Sequence, residues 1–211
     1  MIRPAIPLSQ RQIVVDVDTQ KHFFLDKGPV CVRDHLSVLS NIRRVMAWVR
    51  MRHIHMVSTV QMFPGNIIHH NSNVAGGISL KKINCTLHNK HISFDANDYT
   101  DLPGRILRQY DQVILYKRCF DLFEEPRADR ILTESEADEF ILIGAPTEGA
   151  IRATALGLLR RQKKVIVLVN ATGSLNVASG KRALRHMRAR GARLINTKVF
   201  LKHFSLYLAR A

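Results

Sequence analysis

The sequence has few cysteines, no long apolar run, and a final third without acidic residues. Its three cysteines, Cys31, Cys85 and Cys119, form neither a metal-ligand spacing nor an obvious disulfide set, which suits a reducing compartment. No apolar run reaches the roughly 18 residues that suggest a transmembrane helix. The first residues lack the apolar stretch of a secretory signal. We therefore expect a cytoplasmic protein with no membrane partner.

Acidic residues are absent from Gly149 to Ala211, where Lys and Arg number 14. The first 148 residues hold 18 basic and all 17 acidic residues, so nearly the whole formal charge of +15 lies in the last third. A helix predicted over Asn176–Arg190 carries four cations on or beside one face: Lys181, Arg182, Arg185 and Arg188. Such a stripe can follow a nucleic-acid backbone or another polyanion, and the alternative is an ordinary solvated helix face.

Strand-like and helix-like segments alternate along the chain, and the strands are continuously apolar, as expected when helices cover both faces of a sheet. This pattern predicts one α/β domain over residues 1–211, a three-layer α/β/α fold around a doubly wound, Rossmann-like parallel sheet. Six strands are predicted: Gln12–Asp18, His53–Thr59, Gln112–Lys117, Glu139–Gly144, Lys164–Val169 and Ala192–Ile195. Short strand-like pieces stand near Lys82–Leu87 and His91–Phe94, within the irregular stretch Phe63–Tyr110.

The tail, residues 199–211, has apolar side chains at helical spacing: Phe200, Leu201, Phe204 and Leu208. We expect it to dock either on the body of its own domain or on another subunit, and we expect a homo-oligomer.

Three motifs point to a function. The first strand ends in Asp18-x-Gln20-x-x-Phe23, and a later strand ends in Lys117 followed by x-x-Phe-Asp-x-Phe. A third apolar strand leads into Gly-Ala-Pro-Thr-Glu-Gly-Ala150 and a helix that opens with Ala-Thr-Ala. In order and spacing the three motifs resemble those of the isochorismatase-like cysteine hydrolases, which include nicotinamidases, isochorismatases and N-carbamoylsarcosine amidohydrolases. The resemblance implies an Asp-Lys-Cys triad in which Asp18 is the general base and Lys117 its partner.

The nucleophile of that triad is missing, because Ala150 stands where the family has cysteine. A thiolate at a helix N-terminus is stabilised by the helix dipole and by free N–H groups. A methyl group can be neither nucleophile nor base. The family chemistry is therefore either lost or moved to another group.

The turn before Ala150 departs from the family pattern a second time. The resemblance implies a cis peptide bond between Ala145 and Pro146, which aims a backbone N–H at the oxyanion. Proline makes a cis bond inexpensive, at about 0.5–1 kcal/mol, but it has no N–H to donate. Loss of one oxyanion donor typically costs about 100- to 1000-fold in rate. We expect the bond to be cis and the oxyanion site to be one donor short.

The resemblance also implies a small-ligand pocket, lined by Gln20, Phe23, Ala145, Pro146 and Ala150. Some members of the family bind a metal through an Asp-x-His element after the second strand, but the corresponding stretch from Ser58 to Phe63 has neither ligand type. The remaining candidate ligands are the pairs His53 with His55 and His69 with His70, without a partnering carboxylate cluster. We expect no metal and no cofactor.

Three functions remain open. The chain is a pseudo-hydrolase that keeps a small-ligand pocket or serves assembly, or it is an active hydrolase of C–N or vinyl-ether bonds that uses Cys119 or a water activated by Asp18. The third alternative is a polyanion- or nucleic-acid-binding protein that acts through its basic last third.

Overall fold

The computed structural model describes residues 12–25, 30–62, 81–97 and 99–208. Its sheet has seven parallel strands in the order β3-β4-β2-β1-β5-β6-β7. The strands are β1 Gln12–Val17, β2 His55–Gln61, β3 His91–Phe94, β4 Gln112–Lys117, β5 Glu139–Gly144, β6 Lys164–Thr172 and β7 Arg193–Ile195. The parallel, doubly wound sheet is confirmed. The count of six strands was wrong, because β3 pairs with β4 at one edge.

The helices cover both faces of the sheet. They are α1 Lys21–Phe24, α2 His35–Arg52, α3 Ile106–Gln109, α4 Pro126–Glu134, α5 Arg152–Arg160, α6 Val177–Ala189 and α7 Thr197–Leu208. Successive strand residues point to opposite faces, so Val14 packs into the core beneath α2 and α7, whereas Val15 packs into the core beneath α4, α5 and α6. Both faces are buried, which accounts for the continuous apolar strands.

The point at which the winding of the sheet changes direction indicates where a ligand site can form. The central strand β1 pairs with β2 on one side and with β5 on the other, and the chain crosses from the β4 side to the β5 side late in the sequence. In open α/β sheets, ligands bind beyond the carboxyl ends of the strands where the winding changes direction. Here that point lies beyond the ends of β1 and β5.

Two local predictions were wrong. The piece Lys82–Leu87 is not a strand, since Lys82 makes only an isolated antiparallel bridge to Gln20 and a 3-10 turn follows at Asn84–Thr86. His53 precedes β2 and ends α2 in the left-handed conformation, with φ of 52°. The helix that follows the third motif begins at Arg152, because the wide helical turn before it contains Gly149 in a non-helical conformation.

The tail docks on its own domain as far as its side chains are described. Phe200 of α7 is 3% exposed and meets Trp48 of α2 edge-on, with ring centroids 5.0 Å apart. Phe200 therefore packs within its own domain, while the side chains of Phe204 and Leu208 lie outside the described part. Within the described residues, no helix is both long and apolar enough to cross a membrane.

Candidate functional site

The first two motifs meet in a buried ion pair. Asp18 follows the last residue of β1 in a left-handed conformation (φ of 49°), and Lys117 is the last residue of β4. Although β2 separates the two strands, Lys117 Nζ lies 2.8 Å from Asp18 Oδ2. The two side chains are 1% and 0% exposed. The first two motifs therefore meet beyond the carboxyl ends of β1 and β4.

Every charged atom of this pair has a hydrogen-bond partner within the protein. Lys117 Nζ donates to Asp18 Oδ2, to Gln61 Oε1 at 2.6 Å and to the Cys119 carbonyl at 3.2 Å. An ammonium has three protons, so each has an acceptor. Thr59 Oγ1 donates to Asp18 Oδ1 at 2.5 Å and accepts from the Asp18 backbone N–H at 3.1 Å. The pair and its polar neighbours therefore form one connected hydrogen-bond network.

The third motif forms the turn that follows β5, next to the end of β1. The Ala145–Pro146 bond is cis, as predicted. Gly144 has φ of +118°, and a Cβ there would overlap the Val17 carbonyl oxygen, so only glycine fits. The Ala145 N–H donates to that same oxygen at 2.9 Å. Ala150 is 0% exposed and packs within the core.

Glu148, the acidic residue of the third motif, connects this turn to the start of α6 through hydrogen bonds. Its Oε1 accepts from the backbone N–H groups of Leu175 at 2.9 Å and Asn176 at 2.8 Å, just before α6 begins. Asn176 in turn caps the helix by accepting from the Ser179 N–H. The sequence motif contained Glu148, but its partners lie almost 30 positions further along the chain, so their contact was not foreseen.

A second buried ion pair lies beside the first and was missed. Lys82 Nζ contacts Asp16 Oδ2 at 2.8 Å, with side chains 4% and 0% exposed. The same carboxylate oxygen accepts from Ser58 Oγ at 3.0 Å and from Thr19 Oγ1 at 3.1 Å, and Lys82 also donates to Thr19. The one available signal was an aspartate in the middle of an apolar strand. Its partner comes from an irregular segment that no periodicity identifies.

The residues predicted to line a ligand pocket are all buried. Gln20 joins the ends of β1 and β2, because its side-chain amide donates to the Gln61 carbonyl at 3.1 Å and its Oε1 accepts from the Gln61 N–H at 2.8 Å. Phe23 lies in the core on the α2 face. Ala145, Pro146 and Ala150 belong to the turn after β5. Their contact with a ligand stays a prediction.

A cavity of about 950 Å³ opens at the opposite, amino-terminal edge of the sheet. Its lining includes Gln12 of β1, His55 of β2 and Asp111 before β4, and none of the predicted pocket residues. Burial lowers the pKa of His55, against the opposing effect of the Asp111 carboxylate. This cavity is therefore separate from the Asp18 and Lys117 site.

The candidate metal ligands do not assemble in the described part of the chain, where no group of three His, Cys, Asp or Glu side chains could hold an ion. His53 and His55 flank the amino-terminal end of β2, at the edge opposite Asp18. His69 and His70 lie outside the described residues.

The four predicted polyanion-binding residues lie on the solvent side of α6. Gly180, Ala183 and Met187 face the core. Four exposed cations occupy the other side: Lys181, Arg182, Arg185 and Arg188.

The sequence matches the family model described as Isochorismatase domain over residues 12–199. The chain belongs to the isochorismatase family. The match begins with β1 and extends to the start of α7, so it includes all three motifs. No curated protein matches the sequence.

Several solved structures share the fold. An isochorismatase-like hydrolase from Alkaliphilus metalliredigens is 20% identical with a TM-score of 0.70, over 92% of this chain and 99% of that one. The nicotinamidase PncA from Bacillus subtilis is 16% identical with a TM-score of 0.65, over 88% and 99%. The MAR1 ribonuclease from Caenorhabditis elegans is 16% identical with a TM-score of 0.65, over 91% and 80%. At these identities the likeness establishes the isochorismatase-like fold.

Proposed function

We propose that this member of the isochorismatase family is a pseudo-hydrolase, without cysteine-dependent catalysis, that keeps the family's site as a small-ligand pocket. One observation carries the loss of catalysis, which is that Ala150 stands at the nucleophile position. The Asp18 carboxylate and the Lys117 ammonium are buried and bonded to each other and to neighbouring protein groups, as the resemblance implies for the family's triad. The pair therefore supports a preserved site that lacks its nucleophile.

The turn after β5 supports the same conclusion. A cysteine hydrolase needs a thiolate at its nucleophile position, and Ala150 supplies a methyl group. An oxyanion is stabilised by positioned N–H donors, and Pro146 offers none. The fold retains the shape of the nucleophile turn without the groups that react.

The alternative nucleophiles gain little support from the geometry. Cys119 is exposed and contacts the ion pair through its backbone carbonyl, which accepts from Lys117 at 3.2 Å. The Asp18 carboxylate already has a partner on each oxygen and has no solvent exposure. Each carboxylate oxygen can accept a second hydrogen bond, so the obstacle to a water activated by Asp18 is the burial of this side chain, which is 0% exposed.

The test is to restore the missing groups one at a time. Ala150→Cys, Pro146→Ala and the double variant are assayed beside the natural protein with nicotinamide, carbamoyl and isochorismate-like substrates. We expect Ala150→Cys alone to gain little activity and the double variant to gain more, since one oxyanion donor is worth about 100- to 1000-fold. Measurable turnover by the natural protein that equals the turnover by the double variant would contradict the proposal.

Ligand binding is tested separately from turnover. Because the B. subtilis neighbour is a nicotinamidase, nicotinamide is the first probe. Saturable stabilisation of the natural protein by nicotinamide supports the pocket. If no substrate of the panel stabilises the natural protein, the proposed ligand pocket is contradicted and only the loss of catalysis remains.

A further inference from the structure

Most basic side chains of the last third fall into two sets; of the other two, Lys163 is half-buried and donates to backbone carbonyls, and Arg210 lies outside the described residues. Three pair with acidic residues of the first two thirds: Arg160 with Asp121, Arg161 with Asp129, and Arg193 with Glu139. Nine exposed cations have no ion pair among the described residues: Arg152, Lys164, Lys181, Arg182, Arg185, Arg188, Arg190, Lys198 and Lys202. Among the described residues, most of the basic charge of the last third therefore has no acidic partner.

Five of these nine cations lie on α6 or directly after it. Lys181 and Arg185 are four residues apart, and Arg188 follows three residues later, so they are neighbours along one face. Like charges at this spacing destabilise a helix. The negative end of the helix dipole offsets this repulsion only in the last turn, which leaves Lys181 without compensation. An external polyanion would relieve the repulsion.

The spacing and chemistry of the stripe suit a phosphate backbone. At a rise of about 1.5 Å per residue, the three cations are separated by about 6 and 4.5 Å along the helix axis, within the range that neighbouring phosphates can match. Arginine and lysine are the side chains that contact phosphate in nucleic acids. Of the apolar residues of α6, Ala183 and Met187 are buried in the core and Leu184 is half-buried, while Val177 in the first turn is exposed.

We propose that the exposed face of α6, defined by Lys181, Arg182, Arg185 and Arg188, binds the phosphate backbone of a nucleic acid without reading its sequence. A helix that binds an anionic membrane surface presents apolar side chains to it. The exposed face of α6 presents cations instead, and the opposite face of the helix is buried in the core. The four side chains carry no aromatic ring on which a base could stack. This function goes beyond the pocket and is independent of whether catalysis is lost.

The experiment measures binding of a labelled single-stranded RNA and a labelled DNA duplex by fluorescence anisotropy between about 50 and 200 mM salt. The test variant is Lys181→Gln/Arg185→Gln/Arg188→Gln. The matched control is Lys164→Gln/Lys198→Gln/Lys202→Gln, which removes the same charge from exposed positions outside α6 that form no ion pair among the described residues. All six positions are exposed, and thermal melts establish that both variants fold.

We expect the natural protein to bind with an affinity that falls steeply with salt. The α6 variant should lose at least about tenfold in affinity, and its slope of log affinity against log salt should fall by about two to three, as for the loss of three phosphate contacts. The control should retain most of the affinity. Absence of salt-dependent binding, equal losses in both variants, or binding to phosphatidylserine vesicles but to neither nucleic acid would overturn the proposal.

Discussion

The Lys117 ammonium lies 2.8 Å from the Asp18 carboxylate, and neither side chain faces solvent. Two strands that do not touch are thereby joined across β2, with Gln61 and Thr59 of that strand bonded to the pair from between them. Two buried charges are costly unless they are paired and hydrogen-bonded. The network around the pair therefore accounts for its presence in the core.

Removal of one charge from this pair should be strongly destabilising. Asp18→Asn or Lys117→Met leaves the partner buried and uncompensated, and we expect each to lower the free energy of unfolding by about 3–5 kcal/mol. The double variant should lose less than the sum of the two single losses. Urea denaturation measures all three, with Lys164→Gln as the control, since that lysine is exposed. Additive losses would show that the two charges do not stabilise each other.

The same measurement applies to the second buried pair. Lys82→Met should lower the free energy of unfolding by a similar amount, because it leaves the Asp16 carboxylate buried with only hydroxyl donors. Lys81→Met is the matched control one position away, since Lys81 is exposed. Equal, small effects of the two substitutions would show that the pair of Asp16 and Lys82 contributes nothing to stability.

Gly144 should tolerate no side chain. Its φ of +118° and the overlap that any Cβ would make with the Val17 carbonyl lead us to expect that Gly144→Ala loses more than about 3 kcal/mol or fails to fold. Gly104→Ala is the control, because no atom lies within 4 Å of a Cβ added there. Thermal denaturation of the two variants compares them, and similar melting temperatures would contradict the description of the turn.

Acidification should destabilise the protein through His88. Burial lowers the pKa of His88 below its usual 6.5, and the nearby Arg50 lowers it further. The unfolded chain therefore binds more protons than the folded one, so the free energy of unfolding falls as pH drops from about 6.5 towards the folded pKa. His88→Gln should flatten this dependence and His53→Gln, an exposed control, should not. Unfolding free energies measured between pH 7 and 5 that follow the same curve in all three proteins would contradict this.

Much of the fold could be predicted because β1, β4 and β5 are continuous apolar runs. The β3 strand was harder to assign, since it is only four residues long and alternates exposed and half-buried side chains. The predicted number of strands was one too low because this edge strand was not counted. The tail was predicted in part, because helical spacing marks Phe200 as a packing residue but does not identify Trp48 as its partner.

The site was predictable only where a motif marks it. Asp18 and Lys117 stand in recognisable order at strand ends, so their meeting could be foreseen. The contacts of Lys117 with Gln61 and with the Cys119 carbonyl depend on strand register and on the path of the chain after β4. The pair of Asp16 and Lys82 depends on an irregular segment. Side-chain contacts of this kind follow from the assembled sheet and not from local pattern.

The most direct test of the central claim is an amidase assay of the natural protein before and after its cysteines are alkylated with iodoacetamide. Ala150 replaces the nucleophile, and Cys119 contacts the ion pair through its carbonyl. We therefore predict that alkylation does not change the turnover of nicotinamide or carbamoyl substrates. Turnover that alkylation abolishes, and that Cys119→Ser also abolishes, would contradict the account and assign the chemistry to Cys119.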